Sequence, residues 1–230
     1  MKKLLTLLIL IFIFLLSNNA NAQFQIGPLV GGNLNGLSIK PDVQGRNINF
    51  VTGYTAGVVM VYHISSMFSI QAEPAYTERG ASTSTAQTDV GLILEIEQSI
   101  KMNYIDVPVL IKLSFDGDFI KPYLLAGGYA AFPLQDTKVK VDKVIANGQN
   151  VISLIPSELL EQDLKNESVD YGLNFGAGIS FPLGIVNMFF EAQFNLGLTN
   201  LNDEVPQEGI EQDVIKNKGL QIQTGLLFTL

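Results

Sequence analysis

The chain has 230 residues, with 14 Lys and Arg against 22 Asp and Glu, one His, no Cys and no Trp. It therefore has no disulfide, thiol chemistry or thiolate metal site, and its acidic balance argues against nucleic acid, which requires a basic stripe. Hydrophobic residues make up 47%, more apolar material than the few charged residues can shield.

Chain order begins with Lys2 and Lys3, an apolar run over 4–16 and the small-residue site Ala20-Asn21-Ala22. This is the layout of a signal peptide, and the run is too short to span a bilayer. Residues 1–22 are expected to be cleaved as a signal peptide, leaving 23–230 as one outer-membrane β-barrel domain. Lys2 and Lys3 leave with the signal peptide, so the mature chain carries 12 basic and 22 acidic residues, net −10. No Cys follows the cleavage site, which excludes a lipid-modified N-terminus. No later run reaches the ~18 apolar residues of a spanning helix.

Eight segments read as strands: 25–38, 53–64, 68–79, 99–114, 121–134, 168–181, 187–200 and 218–230. The sixth sets Val169, Tyr171, Leu173, Phe175, Ala177, Ile179 and Phe181 against Asp170, Gly172, Asn174, Gly176, Gly178 and Ser180. The seventh sets Met188, Phe190, Ala192, Phe194, Leu196 and Leu198 against Glu191, Gln193, Asn195, Gly197 and Thr199. A period of two is a strand, and about twelve alternating residues exceed the ~5–6 of a soluble strand but suit the ~9–11 of a tilted strand crossing lipid. The connections alternate. Those at 65–67, 115–120 and 182–186 are short; those at 39–52, 80–98, 135–167 and 201–217 are long and polar. That regularity predicts an eight-stranded antiparallel up-and-down transmembrane β-barrel with short periplasmic turns and long extracellular loops.

In so narrow a barrel the interior holds only side chains. The expected inward set is Gly172, Gly176, Gly178, Gly197 and Gly225 with Glu73, Asp106, Asn174, Glu191, Gln193, Asn195 and Gln221, joined by Arg79 and Lys112. Such a network reads as structural. Tyr62, Phe68, Phe115, Phe119, Tyr123, Phe181 and Phe189 lie beside the short turns, where an aromatic girdle is expected. Pro74 and Pro108 fall inside strands of a sheet with no free edge, so each is expected to mark a bulge or break.

Few residues suggest chemistry. His63 adjoins Ser65 and Ser66, but strand-end neighbours do not converge as nucleophile and base. Gly31-Gly32-Asn33 and Gly127-Gly128-Tyr129 lack the Lys and Ser/Thr of a phosphate loop and read as close-packed strand glycines. In the loops, Ser157 is expected to cap a short helix over 158–165. Asp203, Glu204, Glu208, Glu211 and Asp213 make the last loop acidic. Segment 135–167, the longest loop, is the expected specificity determinant. No catalytic, cofactor or metal site is expected.

Asn103-Tyr104-Ile105-Asp106-Val107-Pro108-Val109-Leu110-Ile111-Lys112 and Lys121-Pro122-Tyr123-Leu124-Leu125-Ala126-Gly127 resemble the PorT-type (porin-like) outer-membrane β-barrel family of Bacteroidetes. Glu73, Tyr76, Gly80, Asp170-Tyr171-Gly172 and Gly176-Ala177-Gly178 fit its third and sixth strands. Asp106 stands where that family usually has Glu, and Leu230 where it often ends on an aromatic residue. The resemblance implies a porin-like barrel in the cell outer membrane. Its expected partners are outer-membrane lipid and lipopolysaccharide, the barrel-assembly machinery and other envelope proteins. The expected role is non-enzymatic: structural, adhesive or binding, through the long loops. The alternatives are a narrow channel for small solutes, an accessory subunit of a protein-secretion machine, and a soluble periplasmic lipid-binding barrel.

Overall fold

The computed structural model describes residues 23–40, 46–89, 92–134, 137–164, 169–200 and 214–230. The expected signal peptide and the acidic segment 203–213 lie outside the described residues. The strands are β1 (Phe24–Lys40), β2 (Arg46–His63), β3 (Phe68–Ala72), β4 (Ala75–Asp89), β5 (Leu92–Ser114), β6 (Lys121–Pro133), β7 (Thr137–Ala146), β8 (Gln149–Asn150), β9 (Glu161–Leu164), β10 (Asp170–Leu183), β11 (Val186–Gly197) and β12 (Val214–Thr229).

Eight strand positions form a closed antiparallel ring. β2 pairs with β1 on one side and with β3 and β4 on the other. β3 and β4, which share the third position, both pair with β5. Pairing continues through β6, β10, β11 and β12, and β12 returns to β1 with Leu220 opposite Leu34. A ring without an edge satisfies its own backbone, which is what allows strands to lie in hydrocarbon.

Alternation assigns the two faces. In β10 Asp170, Gly172 and Asn174 are buried between exposed Tyr171, Leu173 and Phe175, and in β11 Glu191, Gln193 and Asn195 are buried between exposed Phe190, Ala192, Phe194 and Leu196. The outward residues form a continuous apolar belt: Leu226 is 38% exposed, Phe194 46% and Ile111 62%. Along β11 this face runs from Phe190 to Leu198. About nine residues at ~3.4 Å rise and ~40° tilt cover roughly 23 Å, close to the ~25 Å apolar band of a membrane barrel. Exposed apolar surface on this scale is solvated by lipid.

The third strand is interrupted at Glu73-Pro74, as expected of a proline there. Pro108 proves to sit opposite the same gap. The β3 and β4 registers place residue 108 across from 73, and Glu73 N–H donates to Pro108 O at 3.2 Å. Pro74 O accepts from Val58 N–H at 3.0 Å. The two missing donors thus fall at one level of the wall, Pro74's in the ladder to β2 and Pro108's in the ladder between β5 and Glu73.

Much of the long connections is strand. β4 and β5 pair from Ala75 opposite Asp106 to Asp89 opposite Leu92, carrying the hairpin well past the apolar belt. β7 pairs with β5, and β8 and β9 pair with β7. Glu97 stands opposite Lys143 and Glu161 opposite Lys140, and Lys101 Nζ lies 3.7 Å from Glu78 Oε1. Opposite charges across neighbouring strands favour this register. The expected helix over 158–165 does not form. Ile152–Leu154 and Ser157–Leu159 are single 3-10 turns, Pro156 rather than Ser157 occupies the cap position, and residues 161–164 join the sheet instead. The open edge of β7 gives residues 161–164 backbone partners, whereas an isolated eight-residue helix is marginal on its own.

The aromatic girdle needs correction at two positions. Phe68, Phe115 and Phe119 are exposed and Tyr62 and Phe181 half-buried, but Tyr123 and Phe189 are buried inside the ring. Each faces a glycine on the neighbouring strand: Tyr123 opposite Gly178, and Phe189 opposite Gly225. The missing side chain makes room for the ring. Phe189 packs with Leu29, Val59, Val61, Ala75 and Leu227 into an apolar plug, a layer absent from the expectation of a uniformly small or polar interior.

Candidate functional site: the polar interior and its mouths

The expected inward residues are inside. Glu73, Arg79, Asp106, Lys112, Asn174, Glu191, Gln193, Asn195 and Gln221 are all buried, with no more than 8% exposure. Period-two alternation on five different strand positions puts them there, and closure brings them together. They sort into two clusters.

The cluster toward the long connections centres on Arg79 of β4. Its Nη2 donates to Asp106 Oδ2 of β5 at 2.6 Å and its Nη1 to Asp170 Oδ2 of β10 at 3.2 Å. Tyr129 Oη and Asn217 Nδ2 donate to the same Asp170 oxygen at 3.2 and 2.9 Å. The guanidinium lies over the rings of Tyr129 and Tyr104, 5.0 and 5.3 Å from their centroids. A buried cation between two carboxylates and two ring faces has replaced its lost hydration. Tyr129 can lie there because Gly172 is its cross-strand neighbour, where a Cβ would come within 2.4 Å of the ring.

The second cluster surrounds two carboxylates, Glu73 at the break of the third strand and Glu191 on β11. Gln193 Nε2 donates to Glu73 Oε2 at 3.0 Å, and Gln223 Nε2 to the same oxygen at 2.8 Å. Gln223 also donates to Glu191. Gln71 Nε2 and Tyr123 Oη donate to Glu191 Oε2 at 3.2 and 2.9 Å. Lys112 Nζ donates to Gln71 Oε1 at 3.0 Å and lies 3.7 Å from the centre of the Tyr123 ring. Amide donors from three strand positions and the Tyr123 hydroxyl thus hold both carboxylates, the satisfaction that buried charge requires.

Between the clusters lies a cavity of about 10 Å³, bordered among others by Arg79, Asp106, Asn174 and Asn195. That is room for about one water molecule. Arg79 Nε, Asp106 Oδ1, Asn174 Oδ1 and Asn195 Oδ1 are buried without a protein partner, which is the polar lining such a water needs. At the short-turn end the ring opens into a larger polar pocket of about 420 Å³.

The residues considered for catalysis do not assemble. His63 Nδ1 lies 2.8 Å from Ser69 Oγ rather than against Ser65 or Ser66, and Ser65 Oγ accepts from Phe68 N–H in the turn. Gly31-Gly32-Asn33 and Gly127-Gly128-Tyr129 are strand residues in β1 and β6; a Cβ on Gly127 would come within 2.1 Å of Val109 O. No group of three metal-ligating side chains occurs among the described residues. The sequence pattern placed Asp170 on the polar side of its strand without giving it a role. It left Gln71, Asn217 and Tyr129 unassigned. The signal for Tyr129 was a glycine directly across, Gly172, visible only with the register in hand.

Comparison with known proteins gives one family and a set of similar folds. The sequence profile of the family described as outer membrane protein beta-barrel domain matches residues 17–203. No curated protein matches the chain. Among solved structures, the outer membrane protein OprG from Pseudomonas aeruginosa has a TM-score of 0.46 and 10% identity, covering 90% of this chain and 95% of its own. Neisserial surface protein A has a TM-score of 0.43 and 12% identity, with coverage of 90% and 97%. Ail, the attachment invasion locus protein of Yersinia pestis, has a TM-score of 0.40 and 11% identity, with coverage of 90% and 99%.

Proposed function

We propose, from the premise that the chain belongs to the outer membrane protein beta-barrel domain family, that it works by binding at the surface it raises above the membrane. One observation supports this most directly. The interior is occupied, with about one water's worth of space at its centre, while β4, β5, β7, β8 and β9 build a paired sheet past the apolar belt. A scaffold that invests its ordered structure outside the bilayer and fills its lumen suits a binding or adhesive role. The short turns then face the periplasm and the long connections the exterior. Lipopolysaccharide surrounds the outer half of the belt, and the assembly machinery is met during insertion. The role proposed is a non-enzymatic one; among the described residues His63 Nδ1 meets Ser69 Oγ in a turn-end contact.

Protease shaving of intact cells tests the orientation and the role together. Cleavage within 83–97 and 137–164, with the turn at Gly184-Ile185 untouched, is the expected pattern. Recovery of the protein in the soluble periplasm would overturn the proposal. The soluble lipid carrier has no site here, because the interior is full and largely polar. A narrow channel is a second reading, favoured by the polar column linking the 420 Å³ mouth to the central cavity. Planar-bilayer conductance would establish it. The finer PorT-type kinship rests on the segments 103–112 and 121–127; the accessory-subunit reading that goes with it is tested by co-purification of other envelope proteins.

A further inference from the structure

The pocket at the short-turn mouth has a chemistry distinct from the rest of the interior. Its volume of about 420 Å³ lies within the ~300–1,000 Å³ typical of small-molecule sites. Lys112 and Lys121 line it together with His63, and the hydroxyls of Ser65, Ser66, Ser114 and Ser180 surround them. Asp116 is the one carboxylate in that lining. Lys112 is 5% exposed, and its ammonium has Gln71 Oε1 as a hydrogen-bond acceptor and the Tyr123 ring as a cover. No carboxylate lies within ion-pair distance of it among the described residues. Two cations share this hydroxyl-lined recess, and the carboxylates whose charges act on Lys112, Glu191 and Glu73, do not line it, so the mouth presents an electropositive cup in an otherwise acidic protein.

We infer that this mouth binds a small solute through an oxyanion, a phosphate or carboxylate group held by Lys112 and Lys121 with the serine hydroxyls. Charge-assisted hydrogen bonds to an oxyanion are the strong ones available to this set of donors. The rest of the pocket admits a body of sugar or amino-acid size. The site does not depend on which leaflet the mouth faces, nor on the binding role of the opposite end.

His63 supplies a reporter, because it is the single His of the chain. It closes β2 at the aqueous rim, beyond the spanning part of that strand, with its Nδ1 near Ser69 Oγ. Burial first, and then the charges of Lys112 and Lys121, hold its pKa below the ordinary value. Asp116 is the acidic group facing the same space. An oxyanion between the lysines offsets their charge, so His63 must titrate higher when the site is filled.

The experiment uses the mature protein in phosphatidylcholine nanodiscs and follows the His63 ring resonances during titration with inorganic phosphate or acetate at constant ionic strength. A saturable shift, with His63 titrating at higher pH in the bound state, is expected for phosphate, acetate or both. Lys121→Gln, an exposed position that leaves the interior intact, should weaken binding about tenfold. Nanodiscs containing phosphatidylglycerol separate the sources. If they produce the bound-state shift alone and free phosphate adds none, the oxyanion is a lipid headgroup; if they leave the titration unchanged, it is a soluble solute. A shift that does not saturate, that chloride reproduces, or that Lys121→Gln leaves unaltered overturns the proposal.

Discussion

Single residues decide whether the interior of this barrel is filled or strained. Arg79 answers two carboxylates, and its removal leaves Asp106 and Asp170 buried without a cation. Arg79→Met should lower stability by about 3–5 kcal/mol, the cost of stranding a buried charge, measured by urea unfolding from lipid vesicles. Combining it with Asp106→Asn and Asp170→Asn should recover most of that loss. No recovery would show that Arg79 acts by packing alone. Gly178 is the second case: a Cβ there would come within 2.4 Å of the Tyr123 ring. Gly178→Val should cost about 1–3 kcal/mol by overpacking, and a Tyr123→Ala background should remove the cost. The polar identity of the interior was readable from alternation where Asn174, Glu191, Gln193, Asn195 and Gln221 each sit between apolar neighbours. The interior aromatics were not. Tyr123 and Phe189 have apolar or small residues on both sides, so parity gave no face, and only the opposed Gly178 and Gly225 explain their direction.

At the scale of elements, the ring and the sheet above it separate. The ring needs the strand segments behind the apolar belt, whereas the described residues of 83–97 pair with one another and Gln98, with the start of β2 and with β7. Replacing 83–97 by a short Gly-Ser turn should leave the barrel folded and its gel mobility still changed by boiling. The amides of β7 should at the same time lose hydrogen-exchange protection. A barrel that fails to form would place the hairpin in the folding core instead. Legibility differed in the same way. Strands facing lipid announced themselves through one apolar face, but Ser82, Thr83, Ser84 and Thr85 are polar on both faces and read as loop. β7 and β8 carried a local sign, the dipeptide Asn147-Gly148, whose positive φ values of 49° and 79° form the tight two-residue hairpin. The helix expected after Ser157 failed because its residues met an open strand edge, which no local signal reveals. Pro74 and Pro108 were legible as defects, but their placement opposite one gap depends on the register of three strands.

For the molecule as a whole, the account joins two statements: the outside is wet by hydrocarbon and the inside is packed. The first predicts that Phe194→Arg, at mid-belt, costs about 2–4 kcal/mol in lipid. The same change at Leu154 on the long-connection side should cost almost nothing. The second predicts no conductance above background in planar bilayers, because a central space of about 10 Å³ passes no solute. Both statements meet in a nitroxide scan along β11 from residue 189 to 198 in lipid vesicles, with collision rates to dissolved oxygen and to a water-soluble nickel chelate read at each position. Oxygen access should oscillate with a period of two, high at 190, 192, 194 and 196 and low at 191, 193 and 195, with the nickel reagent excluded from both sets. Nickel access at 194 with no oxygen preference would contradict the lipid-facing belt and with it the membrane barrel.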